Sequence, residues 1–99
     1  MKILIASSIY PDAIEKLRQE HEVTCAFNAK EEVLKKEIRD RDVLIFRSGV
    51  QITAEVMSCA PNLRLIIRAG SGVDNIDMDY VLRKGIYMVR VPGPGAKAG

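Results

Sequence analysis

Along the chain, short runs dense in aliphatic and β-branched residues alternate with stretches whose apolar positions recur at helical spacing. The runs Lys2–Ala6 (KILIA), Glu22–Phe27 (EVTCAF), Asp42–Phe46 (DVLIF), Leu63–Ile67 (LRLII) and Ile86–Val91 (IYMVRV) predict five strands. The first, third and fourth are nearly continuous in apolar residues, as expected where helices cover both faces of a parallel sheet. Arg90 interrupts the fifth, which suits an edge strand or an interdomain face.

Four helices are expected between the strands. Pro11 suits a first helical turn, with Ala13, Ile14 and Leu17 on one face. Asn28 is placed to cap a second helix, acidic early (Glu31, Glu32) and basic late (Lys35, Lys36), the order the helix dipole favours. Thr53 opens a third that turns Val56, Met57 and Ala60 inward and stops before Pro61. Asp77 or Asp79 caps a fourth, with Val81 and Leu82 buried and Gly85 at its end. Strict β-α alternation with short connections predicts an α/β fold, a doubly wound parallel five-stranded sheet in a single domain.

Composition narrows the function. The 99 residues suffice for one modest core. Fifteen basic residues against 13 acidic ones leave +2, too little to imply nucleic acid or an anionic membrane. The few aromatics never interleave with a basic patch, so a base-stacking surface is not expected. No apolar run approaches the roughly 20 residues of a membrane span. MKILIASS lacks the long apolar region and cleavage site of a signal peptide, so a cytoplasmic location is expected. Cys25 and Cys59 show no metal or redox spacing and are expected as reduced thiols, and no metal site is expected.

The stretch RAGSGVDNID, Arg68 to Asp77, follows the fourth strand and carries G-x-G. A dinucleotide fingerprint needs a third glycine three positions on and an acidic residue about 20 beyond, after the first strand of its unit. Here Asn75 takes the third place, the downstream tail PGPG has no acid, and the first strand ends in Ala6-Ser7-Ser8. A phosphoacceptor receiver lacks its acids at Ser7-Ser8 and Arg47-Ser48; a flavin-phosphate loop is half supplied by SSIYPDA; no triphosphate-binding P-loop occurs. Asp74, Asn75 and Asp77 read as turn and cap formers. His21, the only histidine, reads as dipole-favoured or solvent-facing rather than catalytic.

Ligands of open α/β sheets bind beyond the carboxyl ends of the strands. Arg47-Ser48-Gly49 and Arg68-Ala69-Gly70-Ser71-Gly72 would share that rim, joining two guanidinium groups, hydroxyls and a run of backbone N–H groups into an anion site. The alternative on residue type alone is that both arginines are solvated and the glycines merely turn the chain.

The combination R-S…T-x-E…A-P-N-L…R-A-G-x-G-x-D-N-I-D…G-I…P-G, between Arg47 and Ala96, resembles the D-isomer-specific 2-hydroxyacid dehydrogenases, most closely the members acting on 3-phosphoglycerate. The similarity runs from about Asp42 to Ala98, with MKILIASSIYPDAIEKL fitting more loosely. The resemblance implies a flavodoxin-like substrate-binding domain in which the amides matching Gly70, Ser71, Gly72 and Val73 hold the substrate carboxylate. It places the positions matching Arg47, Ser48 and Arg68 close to a small anionic, phosphoglycerate-like 2-hydroxy acid. It further implies NAD as cofactor of a parent enzyme expected to be a homo-oligomer. The family's fingerprint and catalytic Arg, Glu and His have no counterpart in this sequence. The chain, 1–99, is thus expected to be a truncated substrate-binding domain without the NAD-binding domain, holding no cofactor and inactive alone. A stand-alone flavodoxin-like scaffold and a small-anion binding module are the alternatives.

Overall fold

A computed structural model describes residues 1–47, 50–69 and 76–91. These form β1 (Lys2–Ile5), α1 (Pro11–Glu20), β2 (Glu22–Cys25), α2 (Glu31–Glu37), β3 (Val43–Phe46), α3 (Ala54–Ser58), β4 (Leu65–Ala69), α4 (Met78–Lys84) and β5 (Tyr87–Val91). All strand pairs are parallel, in the order β2-β1-β3-β4-β5. This is the flavodoxin-like arrangement, with its topological switch point between β1 and β3. No helix among the described residues is long and apolar enough to cross a membrane.

The apolar runs form strands because each side chain meets a packed layer on its own face. Leu4, Leu44, Phe46 and Ile66 face one way and pack with Leu34 and Ile38 near α2, Val56 and Met57 of α3, and Val81 of α4. Ile3, Ile5, Val43 and Ile45 face the other way, against Ile14 and Leu17 of α1. The α1 face is thinner: Ala13, Ile14 and Leu17 are half-buried, and the helix has no fully buried residue.

The expected caps hold for α3 and α4. Thr53 Oγ1 accepts from the Val56 N–H at 3.2 Å, and Asp77 Oδ1 from the Tyr80 N–H at 3.1 Å. Gly85 closes α4 in the left-handed conformation at φ 68°. Asn28 does not cap α2. It turns the chain off β2 at φ 52°, donating its N–H to the Ala6 carbonyl, and Lys30 stands at the N-cap without a side-chain bond. Leu82 is 73% exposed, because it lies about 100° round the helix from buried Val81.

Strand β4 begins two residues later than expected. The Leu63 N–H closes a turn on Ala60, and the N–H groups of Arg64 and Leu65 both reach the Asp42 carbonyl. Arg68 and Ala69 therefore belong to the sheet. Arg90 lies on β5, an edge strand, and is exposed.

Candidate functional site

The carboxyl ends of β1 and β3 flank the switch point, where adjacent connections leave toward opposite faces and open a crevice. The ladder runs normally to Ala6, whose N–H donates to the Ile45 carbonyl at 2.8 Å. Beyond it the Arg47 N–H donates to Ser7 Oγ at 2.9 Å, while the Ala6 carbonyl accepts from Asn28 at 2.9 Å. The Arg47 guanidinium also donates to the Ser8 carbonyl at 3.4 Å. Half-buried Arg47 is thus tied by backbone and side chain to the tip of β1.

The ends of β3 and β4 lie side by side. Phe46 pairs with Arg68 in the ladder, and past the strands an isolated parallel bridge joins Ile52 to Ile76. The Asp77 N–H donates to the Ile52 carbonyl at 3.1 Å, so both return segments enter α3 and α4 as neighbours. The connections after β3 and β4 therefore depart from adjacent strand ends and return at one bridge. The expected site residues Ser48, Gly70, Ser71, Gly72 and Val73 lie in those connections, outside the described residues, as do Asp74, Asn75 and the PGPG tail.

Arg47 and Arg68 differ sharply. Arg68 is 5% exposed, and its guanidinium carbon lies 5.9 Å from the ring centroid of buried Phe46. A guanidinium over an aromatic face is held by the ring quadrupole as well as by its hydrogen bonds. Arg90, its register partner on β5, sits on the outer edge. Arg47 is thus half-buried at the switch point, whereas Arg68, a strand away, is buried over Phe46 on the face that packs against α2, α3 and α4. A guanidinium donates in a fixed fork that suits a carboxylate or phosphate, and Arg47 keeps exposed surface at the strand ends.

Residue-type reasoning missed Ser7, which is 3% exposed and bonded into the site. Its only sequence signal is a hydroxyl pair directly after an apolar run, the position where a first strand ends at a switch point. His21 closes α1, its N–H on the Leu17 carbonyl at 2.8 Å, and its Nδ1 lies 3.3 Å from the terminal amine. It sits at the amino end of the sheet, away from Arg47. A shallow depression of about 730 Å³ occupies that end, lined by Lys2, His21, Asp40 and Asp42 among others. Lys2 pairs there with two acids: its Nζ lies 4.0 Å from Glu22 and 3.3 Å from Asp40, whose carboxyl this contact holds below the ordinary range. The fold directs ligands to the other end.

Residues 3–98 match the family model of the D-isomer specific 2-hydroxyacid dehydrogenase catalytic domain. The chain is 42% identical over 92 residues to D-3-phosphoglycerate dehydrogenase of Methanocaldococcus jannaschii, an alignment covering 93% of this chain and 18% of that protein. Among solved structures, a Pyrococcus horikoshii protein superposes with a TM-score of 0.85 at 30% identity, over 91% of this chain and 27% of that one. NAD+-bound 3-phosphoglycerate dehydrogenase of Entamoeba histolytica gives 0.79 at 28% identity, over 91% and 32%. The chain thus spans about a fifth to a third of these relatives. With residues 3–98 matched and the sheet in this order, the chain belongs to the D-isomer specific 2-hydroxyacid dehydrogenase family, within its catalytic domain.

Proposed function

We propose that the chain is the substrate-binding part of an NAD-dependent D-3-phosphoglycerate dehydrogenase, whose whole enzyme oxidises 3-phosphoglycerate to 3-phosphohydroxypyruvate. The observation that carries this reading is the Arg47 anchor at the β1/β3 switch point, beside the paired exits of β3 and β4. A carboxylate and a phosphate are the two charges of such a substrate, and a guanidinium at the switch point suits either. The relatives named for that substrate support the assignment.

The residues of this chain do not fit the dinucleotide. The first strand ends in buried Ser7, whose side chain is engaged by Arg47, rather than in the glycine turn that lets a pyrophosphate approach. Hydride transfer needs nicotinamide and substrate in near-attack geometry, so this chain alone binds substrate and does not turn it over. The rest of the enzyme holds the cofactor.

Titrating 3-phosphoglycerate into the isotope-labelled chain tests the reading. Saturable amide shifts centred on Arg47, lost in Arg47→Ala, are expected, with Kd of order millimolar because a half-open cleft buries little of the ligand. NADH oxidation with phosphohydroxypyruvate that survives repurification would overturn the inactive-alone part; absence of any shift would favour a scaffold without ligand affinity. The burial of Arg68 against Phe46 is the observation on the scaffold's side.

A further inference from the structure

We infer that Ser7 is a positioning residue of this site: its buried hydroxyl fixes the backbone of Arg47 and so sets the direction in which the chain leaves β3. The inference rests on the reading of Arg47 as a substrate ligand and assigns the residue that aims it.

A continued parallel ladder would send the Arg47 N–H to the Ala6 carbonyl, two residues beyond the preceding rung. That carbonyl accepts instead from Asn28, the left-handed residue that turns the chain off β2. The Ser7 hydroxyl takes up the rung on the β3 side at 2.9 Å. A side-chain oxygen reaches from a different point than a main-chain carbonyl, so the tips of β1 and β3 can separate without leaving the Arg47 amide unpaired. A buried backbone N–H requires such a partner. Ser7, at 3% exposure, lacks the solvent contact that would let water replace its hydroxyl. The second tie, from the Arg47 guanidinium to the Ser8 carbonyl at 3.4 Å, starts from the next residue along the same tip. One dipeptide therefore positions both the main chain and the side chain of Arg47. Geometry of this kind matters because small misplacement of a binding group costs disproportionately.

The test compares the 99-residue chain with Ser7→Ala, Ser7→Thr and Ser7→Cys, reading 3-phosphoglycerate affinity and the hydrogen exchange of the Arg47 amide. Ser7→Ala should weaken binding about tenfold, the scale of one lost hydrogen bond, and speed Arg47 exchange by at least about that factor. The Leu44 amide, inside β3, should keep its protection. Ser7→Thr, which restores the hydroxyl, should bind within about twofold of the parent chain. If Ser7→Ala loses protection at Leu44, Ser7→Cys replaces it, keeping the volume while offering a weak acceptor. Wild-type affinity in the hydroxyl-free variant sinks the proposal, and so does a threonine variant that falls as far. If the parent chain itself shows no saturable shifts, the substrate-binding reading fails. Ser7 is then judged on exchange alone: unchanged Arg47 exchange without the hydroxyl rejects the role, and selective loss that threonine restores supports it.

Discussion

Two of the described residues hold left-handed backbone, and they illustrate what a single position can demand. Asn28 at φ 52° reverses the chain after β2, and Gly85 at φ 68° ends α4. An added Cβ at Gly85 would meet nothing within 4 Å, so space does not decide that position; conformation does. Gly85→Ala should therefore destabilise the chain by about 1 kcal/mol, the penalty of a Cβ in this region. Gly85→Asn should cost less, since asparagine tolerates the same backbone. Urea denaturation midpoints measure both, and equal losses would mean that crowding rather than φ is limiting. Such end signals are legible in sequence because they are local: Thr53, Asp77 and Gly85 act on neighbours within four positions. Asn28 carried an equally good local signal for capping α2. Its N–H is claimed by the carbonyl of Ala6, just past β1, a distant partner that no local pattern reveals.

Helices α2 and α3 are joined on the surface by Lys35 and Glu55, with Nζ 2.9 Å from Oε2. Its hydrogen bond to Glu55 raises Lys35 above its ordinary 10.5, and the same bond lowers Glu55 below 4.5. The signs follow by linkage. The Glu55 contribution to stability is present above the unfolded carboxyl pKa and is lost as pH falls through the lowered folded value. The Lys35 contribution is complete below 10.5 and is lost as pH rises through the raised value. A double-mutant cycle with Lys35→Met and Glu55→Gln should show coupling at neutral pH that fades at both extremes and shrinks with salt. Coupling that persisted in acid would mean the pair is not electrostatic. At this scale the alternation of strands and helices was readable throughout. The start of β4 was not, because Leu63 and Arg64 look like strand but serve a turn and the Asp42 carbonyl. The shift carries Arg68 from an expected loop position into the sheet, beside Phe46.

Across the whole molecule, the two faces of the sheet are unequally covered by the described residues. One packs against α2, α3 and α4; the other is covered by α1 over β1 and β3, leaving Tyr87 76% and Val89 42% exposed on β5. The site follows the same logic of long range. Arg47 was identifiable from its place after an apolar run, whereas the hydroxyl that holds it lies 40 residues away and joins it only through β1/β3 pairing. Stability should track the better-covered face. Leu44 is fully buried in the central strand and in the larger core cluster, so Leu44→Ala should cost about 3 kcal/mol. A domain this size holds roughly 5–15 kcal/mol in total, so that loss should be plain in a denaturation curve. Tyr87→Ala removes a larger side chain from the opposite face but buries little on folding, and should fall within about 0.5 kcal/mol of the parent. If Tyr87→Ala instead proved as costly as Leu44→Ala, the α1 face would be closed in solution by contacts that the described residues do not make.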